Sequence, residues 1–127
     1  MGGSVKIEFT VPGVLKPKER PRRAKNGHFY TPTKTGNSEE TVRMFALRAM
    51  ALCGWPRMYA YPVIARVSAY YDDHRHRDLD NIVKTALDAV NGLVLADDRQ
   101  VVELHAYLGE SPEPRVEISF ETIEKCG

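Results

Sequence analysis

Residues 77–100 read Arg-Asp-Leu-Asp-Asn-Ile-Val-Lys-Thr-Ala-Leu-Asp-Ala-Val-Asn-Gly-Leu-Val-Leu-Ala-Asp-Asp-Arg-Gln. Leu79, Ile82, Val83, Ala86, Leu87 and Val90 fall on one arc of an amphipathic helix. Asn91-Gly92 closes the run, because glycine readily takes the left-handed backbone that ends a helix. The spacing predicts a helix over about 79–91. The short apolar segment Leu93–Ala96 then leads to a second acidic pair, Asp97-Asp98.

Strands are expected on both sides of this helix. Upstream, over 63–71, Val63, Ala65, Val67, Ala69 and Tyr71 lie on one side of an extended chain. Downstream, 100–108 is lined by Val102, Leu104, Ala106 and Leu108, and 115–123 by Val116, Ile118 and Phe120. Nearer the start, Val5, Ile7, Phe9 and Val11 alternate with Lys6, Glu8 and Thr10 until Pro12-Gly13 stops the strand. A further helix is predicted over 38–52, capped by Asn37 with Glu40 completing a capping box. Val42, Phe45, Ala46 and Ala49 form its buried stripe, and Gly54-Trp55-Pro56 ends it. Four strands and two main helices predict an α+β fold. It is a two-layer sandwich in which the helices cover one face of a small mixed sheet.

The 127 residues suit one domain, 1–127, with a basic loop over 14–37 and neither repeat nor linker. No apolar run approaches the ~20 residues that cross a bilayer, so no membrane partner is expected. The opening Met-Gly-Gly-Ser lacks the basic and apolar regions of a secretory signal, which predicts a cytoplasmic protein. Cys53 reads as a small core residue at a helix end and Cys126 as part of a tail, with no disulfide framework. Glycine-rich phosphate loops, serine triads and catalytic cysteine patterns are absent, and no small organic cofactor is expected. The formal net charge of +1 conceals a division along the chain. Residues 1–77 hold 14 Lys/Arg against 6 Asp/Glu, and residues 78–127 hold 4 against 11. Such a chain can still meet a polyanion through its basic half.

Asp78 and Asp80 flank Leu79 where an extended approach enters the helix. Leu79 can anchor inward while both carboxylates face out. Asp80, Lys84 and Asp88 then follow at i, i+4 and i+8, on one stripe opposite the apolar arc. If Leu93–Ala96 runs back along the helix, Asp98 returns toward Asp78 and Asp80. Carboxylates that converge repel one another unless a cation neutralises them. Mg²⁺ takes one or two carboxylates, keeps waters and uses substrate phosphate oxygens, which suits phosphodiester hydrolysis. Lys84 would then position or stabilise the phosphate. The same residues admit a plainer reading: an Asp80–Lys84 helical ion pair, an aspartate N-cap, and a turn at Asp97-Asp98-Arg99.

Lys16, Lys18, Arg20, Arg22, Arg23 and Lys25 crowd a stretch that Pro17 and Pro21 keep from becoming helical. Lys34, Arg75 and Arg77 add to this half, and such charges supply the salt-dependent attraction to nucleic-acid phosphates. His28, Phe29 and Tyr30 could stack on bases, or pin a solvated loop to the core. His74 and His76, followed by two aspartates, could form a zinc site. An exposed turn with its arginines facing phosphate is the favoured reading of that stretch.

The string from Arg77 through Lys84, then Asp88-Ala89-Val90-Asn91-Gly92, then Asp97-Asp98-Arg99-Gln100-Val101, resembles the RusA-type Holliday junction resolvases. Lys18–Arg22 and Tyr30–Thr35 are similar to the phage-like branch of that family, whose members are small endodeoxyribonucleases of bacteria and prophages. The resemblance implies a homodimer that binds branched, four-way DNA and makes paired nicks with Mg²⁺, or with Mn²⁺ in its place. It implies that Asp78, Asp80 and Asp98 are the metal-binding catalytic acids and Lys84 the functional lysine, with Asp88 and Asp97 in support. Two other readings of the residues stay open. One is a non-catalytic nucleic-acid-binding module built on the basic arm, and the other is a hydrolase of small phosphate esters.

Overall fold

The computed structural model describes residues 5–15, 39–73 and 77–123. Two-residue periodicity builds its sheet. In β1 (Lys6–Pro12) Ile7, Phe9 and Val11 are buried while their neighbours are exposed. In β2 (Val63–Tyr71) every second residue from Val63 to Tyr71 is buried. β4 (Arg115–Thr122) turns Val116, Ile118 and Phe120 inward, and β3 (Val101–Glu110) completes the sheet. The strand order is β1-β4-β2-β3. β4 is antiparallel to both of its neighbours, whereas β2 and β3 are parallel. Adjacent parallel strands need a crossover, and α2 (Leu79–Val90) supplies it.

Both helices lie over the face that carries the buried strand residues. α1 (Glu39–Cys53) packs on β1 and α2, and α2 packs on β2 and β3. The register fixes that face: Phe120 stands between Ile7 and Ala65, and Ile118 between Phe9 and Val67. The opposite face is polar, with Lys6, Glu8, Arg66 and Glu117 exposed or half-buried. The expected α+β two-layer architecture is the one observed.

Some local expectations differ. Cys53 is exposed, because α1 runs on past its last core contacts at Ala49 and Met50 and leaves its final turn in solvent. Asn91 is extended (φ −64°, ψ 128°), and Gly92 alone takes a positive φ of 78°. The alternating apolar side chains of β3 are not a core stripe: Val102 is 60% and Leu104 45% exposed, with Leu108 partly buried. β3 is an edge strand, and the helical layer leaves much of it bare. The Asn37 cap of α1 lies outside the described residues.

The segment after α2 is a tight buried turn. Leu93, Val94 and Leu95 are buried, and Gly92 N–H donates to the Leu95 carbonyl (2.7 Å). Met58 and Tyr59 donate their N–H groups to the Leu93 and Val94 carbonyls. The Trp55 indole donates to Val94 as well (3.0 Å). The chain entering β2 and the chain leaving α2 are thereby held together.

Candidate active site

At the start of α2 the geometry follows from a short polar–apolar–polar run. Asp78 is extended (φ −85°, ψ 97°) and is the N-cap, its carboxylate accepting from the Asn81 backbone N–H (3.2 Å). The Asn81 side-chain amide donates to the other Asp78 oxygen (3.0 Å). Leu79 packs against the core, while Asp78, Asp80 and Asn81 stay exposed. Lys84 and Asp88 continue along the solvent side of the helix. No ion pair joins Asp80 to Lys84 among the described residues, so the plain helical pair is not formed. At the far end, Arg43 donates to the Ala89 carbonyl (2.9 Å), satisfying a C-terminal carbonyl that the helix leaves open.

The second acidic segment is ordered by its own caps. Asp97 caps a 3₁₀ turn over Asp98–Gln100, accepting from the Arg99 N–H (3.1 Å). The Gln100 side chain accepts in return from the Asp97 N–H (2.8 Å), a complete capping box. Gln100 also donates to the Tyr59 and Tyr61 carbonyls, tying the turn to the approach of β2.

The hydrogen bond from the Arg99 N–H, with sharing between the two carboxyls, lowers the Asp97 pKa. That sharing raises Asp98, and slight desolvation and the negative charges of Asp97 and Asp88 push it further up. The charge on α2 that acts on Asp98 is therefore Asp88. Asp88 lies eight positions beyond Asp80, about 12 Å along a helix. Asp98 was expected beside Asp78 and Asp80, but its neighbouring acids here are Asp97 and Asp88. Leu93–Leu95 turns tightly at the end of α2 and does not carry the chain back along it. Among the described residues, no three Asp, Glu, His or Cys side chains are placed to share one metal ion. The donor set is nonetheless the hard-oxygen type that suits Mg²⁺, an ion that fills most of its sphere with water and substrate oxygens.

The residues just ahead of α2 play a part that spacing alone did not reveal. The Arg77 guanidinium lies over the Tyr71 ring, 4.1 Å from its centroid, and pairs with Asp73 (2.7 Å). Among the described residues its Nε has no hydrogen-bond partner. The buried Tyr71 hydroxyl donates to the Leu15 carbonyl (3.1 Å). The only hint in the sequence was a tyrosine at the end of a strand, two residues before an acid. Lys16, Lys18, Arg20, Arg22, Arg23, Lys25, Lys34 and Arg75, with His28, Phe29, Tyr30, His74 and His76, lie outside the described residues.

Residues 12–121 match the family model for Endodeoxyribonuclease RusA. The chain belongs to the RusA family. The match takes in Leu15 at the root of the basic arm, the whole of α2 and both acidic segments. The chain is also similar to a Bacillus subtilis (strain 168) protein, "Uncharacterized protein YqaN", with 46% identity over 46 residues. That alignment covers 36% of this chain, and the chain spans about a third of the relative's length, 32%. No helix of the described residues is long and apolar enough to cross a membrane.

Proposed function

We propose that this chain is a metal-dependent, structure-selective endodeoxyribonuclease that resolves four-way DNA junctions by paired symmetric nicks, in recombination and repair. The observation that carries the reading is the family match across 12–121, which spans every acid the chemistry would need. The exposed stripe of α2 supports it: Asp78 and Asp80 open the helix and Lys84 stands one turn on, all reachable by a backbone as bulky as duplex DNA.

The resemblance assigns Mg²⁺, with Mn²⁺ as a substitute, to Asp78, Asp80 and Asp98; within one chain Asp98 stands apart from the other two, beside Asp97 and Asp88. When bound, that ion activates a water and neutralises charge on the scissile phosphate. Asn81 steadies Asp78, holding in one orientation the carboxylate that would face the metal. Lys84 offers its ammonium to the phosphate oxygens, where charge grows in the transition state. Asp88 and Asp97 act through Asp98, whose proton affinity they raise. The basic arm supplies phosphate attraction without sequence reading. A homodimer carries two such sites, as two opposed cuts require.

One observation favours a second reading. Asp78 and Asp97 are both occupied as caps, which is all that a non-catalytic DNA-binding module would ask of them. The deciding experiment compares nicking of four-way, duplex and single-stranded DNA, with Mg²⁺ and with chelator. Paired nicks in the four-way substrate, dependent on Mg²⁺, are expected. Binding without any nicking in Mg²⁺ or Mn²⁺ would establish the binding module instead.

A further inference from the structure

We propose that Tyr61 is a base-stacking residue: its ring takes an unstacked nucleobase of branched DNA beside the acidic turn and so brings the neighbouring phosphate to Asp98. The inference rests on the nuclease reading and names a contact with the substrate that the acids and the basic arm do not supply.

The backbone puts Tyr61 at the turn. Tyr59 and Leu95 form a parallel bridge. The Tyr59 N–H donates to the Val94 carbonyl (3.2 Å), and the Ala96 N–H donates to the Tyr59 carbonyl (3.1 Å). Chains paired in this way lie about 4.8 Å apart. Two residues on from the bridge come Tyr61 on one chain segment and Asp97 on the other. The Gln100 amide holds them together there, donating to the Tyr61 carbonyl (2.9 Å) while accepting from the Asp97 N–H (2.8 Å). The approach to β2 and the turn that carries Asp98 are therefore one piece.

The rings form a stair from core to surface. Trp55 is 4% exposed and Tyr61 64%. The Tyr59 ring stands between them, 5.0 Å from Trp55 and 5.6 Å from Tyr61. Tyr59 braces the Tyr61 ring at 63°, and among the described residues the Tyr61 hydroxyl has no hydrogen-bond partner. Just ahead of the stair, Met58 is the one described non-glycine with a positive φ, 55°. That conformation is costly for an L residue, and such strain concentrates where a chain binds or reacts. Here it delivers a bare aromatic ring to an acidic turn.

The occupant follows from the chemistry. Any nucleobase offers a face to a tyrosine, and the exposed Arg57 and Arg99 attract the phosphates on either side. Base and phosphate hang from one sugar, so a base on Tyr61 brings its phosphate to the turn. Bases inside a continuous duplex are already stacked. Where arms branch, stacking is interrupted and a base is extruded at least cost. Tyr61 therefore favours branched over continuous DNA, a choice that phosphate attraction alone does not make.

The test uses the full-length protein in chelator, so that binding is read without cutting. Tyr61→Ala should bind a four-way junction about ten-fold more weakly than wild type, the scale of one base–aromatic stack. Its affinity for blunt duplex should be unchanged. Tyr61→Phe keeps the ring and should match wild type on both substrates. With 5-iodouracil at each branch-point position in turn, ultraviolet light should cross-link the wild-type protein at Tyr61, mapped by peptide mass spectrometry. The cross-link needs no variant, so it decides the matter even if Tyr61→Ala folds poorly. Equal junction affinity for wild type and Tyr61→Ala would overturn the stack. So would an equal loss on duplex, a Tyr61→Phe as weak as Tyr61→Ala, or cross-links that avoid Tyr61. Tyr61-dependent junction binding with no nicks after Mg²⁺ is added would count against the nuclease reading alone. Mg²⁺-dependent nicking with binding indifferent to Tyr61 would count against the stack alone.

Discussion

The Tyr71 hydroxyl donates to the Leu15 carbonyl at 3.1 Å, fastening the root of the basic arm to the end of β2, where Arg77 covers the same ring. Burial pushes the Tyr71 pKa up, and the Arg77 charge only partly opposes it, so the phenol remains a donor through neutral pH. Tyr71→Phe removes that donor and leaves a buried carbonyl without it. A loss of about 1 kcal/mol is expected, measured by urea denaturation. Because the bond sits between arm and acids, the same variant should bind four-way DNA more weakly in a gel-shift titration. Unchanged stability would mean the bond is not formed in solution.

Asp78 is both cap and proposed ligand, and two substitutions separate these parts. Asparagine caps a helix about as well as aspartate, whereas alanine costs about 1 kcal/mol. Asp78→Asn should keep wild-type stability and lose cleavage, while Asp78→Ala loses both. Thermal melts and a nicking assay on the same preparations decide the matter. Asp78→Asn that still cuts at the wild-type rate would leave the residue as a cap only.

Asp80 makes no cap contact, so Asp80→Asn should abolish nicking while junction affinity and melting temperature stay near wild type. Lys84→Ala is expected to be milder, a loss of about 10²–10³-fold in single-turnover rate, the usual scale for one lost charge-stabilising donor. Equal rates for wild type and Lys84→Ala would remove the lysine from the mechanism.

The fold was legible because its signals are local. The apolar arc of α2, the alternation in β1, β2 and β4, and Gly92 each specify their own backbone. The order of the strands was not legible, since nothing in Arg115–Thr122 says that it inserts between β1 and β2. Burial failed where it depends on a neighbour. Leu104 alternates like a core residue, but no helix reaches over it; Cys53 continues the stripe of Ala46 and Ala49, but the core has ended. The acids were legible as residues and not as an arrangement. The path of Leu93–Leu95 is set by bonds to Trp55, Met58 and Tyr59, and no spacing along the chain reports these.

Asp97 and Asp88 both disfavour the charged form of Asp98. Sharing with the Asp97 carboxyl and the nearby charges raise the Asp98 pKa, so the folded chain holds that proton more tightly than the unfolded chain does. A raised carboxyl pKa contributes stability only while the group is protonated, and that contribution is lost as pH climbs through the folded value. Asp97 has the opposite sign: its lowered pKa stabilises the fold above the ordinary carboxylate range and is lost in acid. Asp98→Asn should therefore melt at a higher temperature than wild type at pH 7 in chelator. The difference should shrink as pH falls through the raised Asp98 value, and the variant should not cut DNA. Added Mg²⁺ should raise the wild-type melting temperature and not that of the variant, because a cation relieves the repulsion that the substitution has already removed. Calorimetric scans from pH 7 downward, with and without Mg²⁺, check all of this. An Asp98→Asn variant less stable than wild type at pH 7 would show that the carboxyl supports the turn and does not strain it.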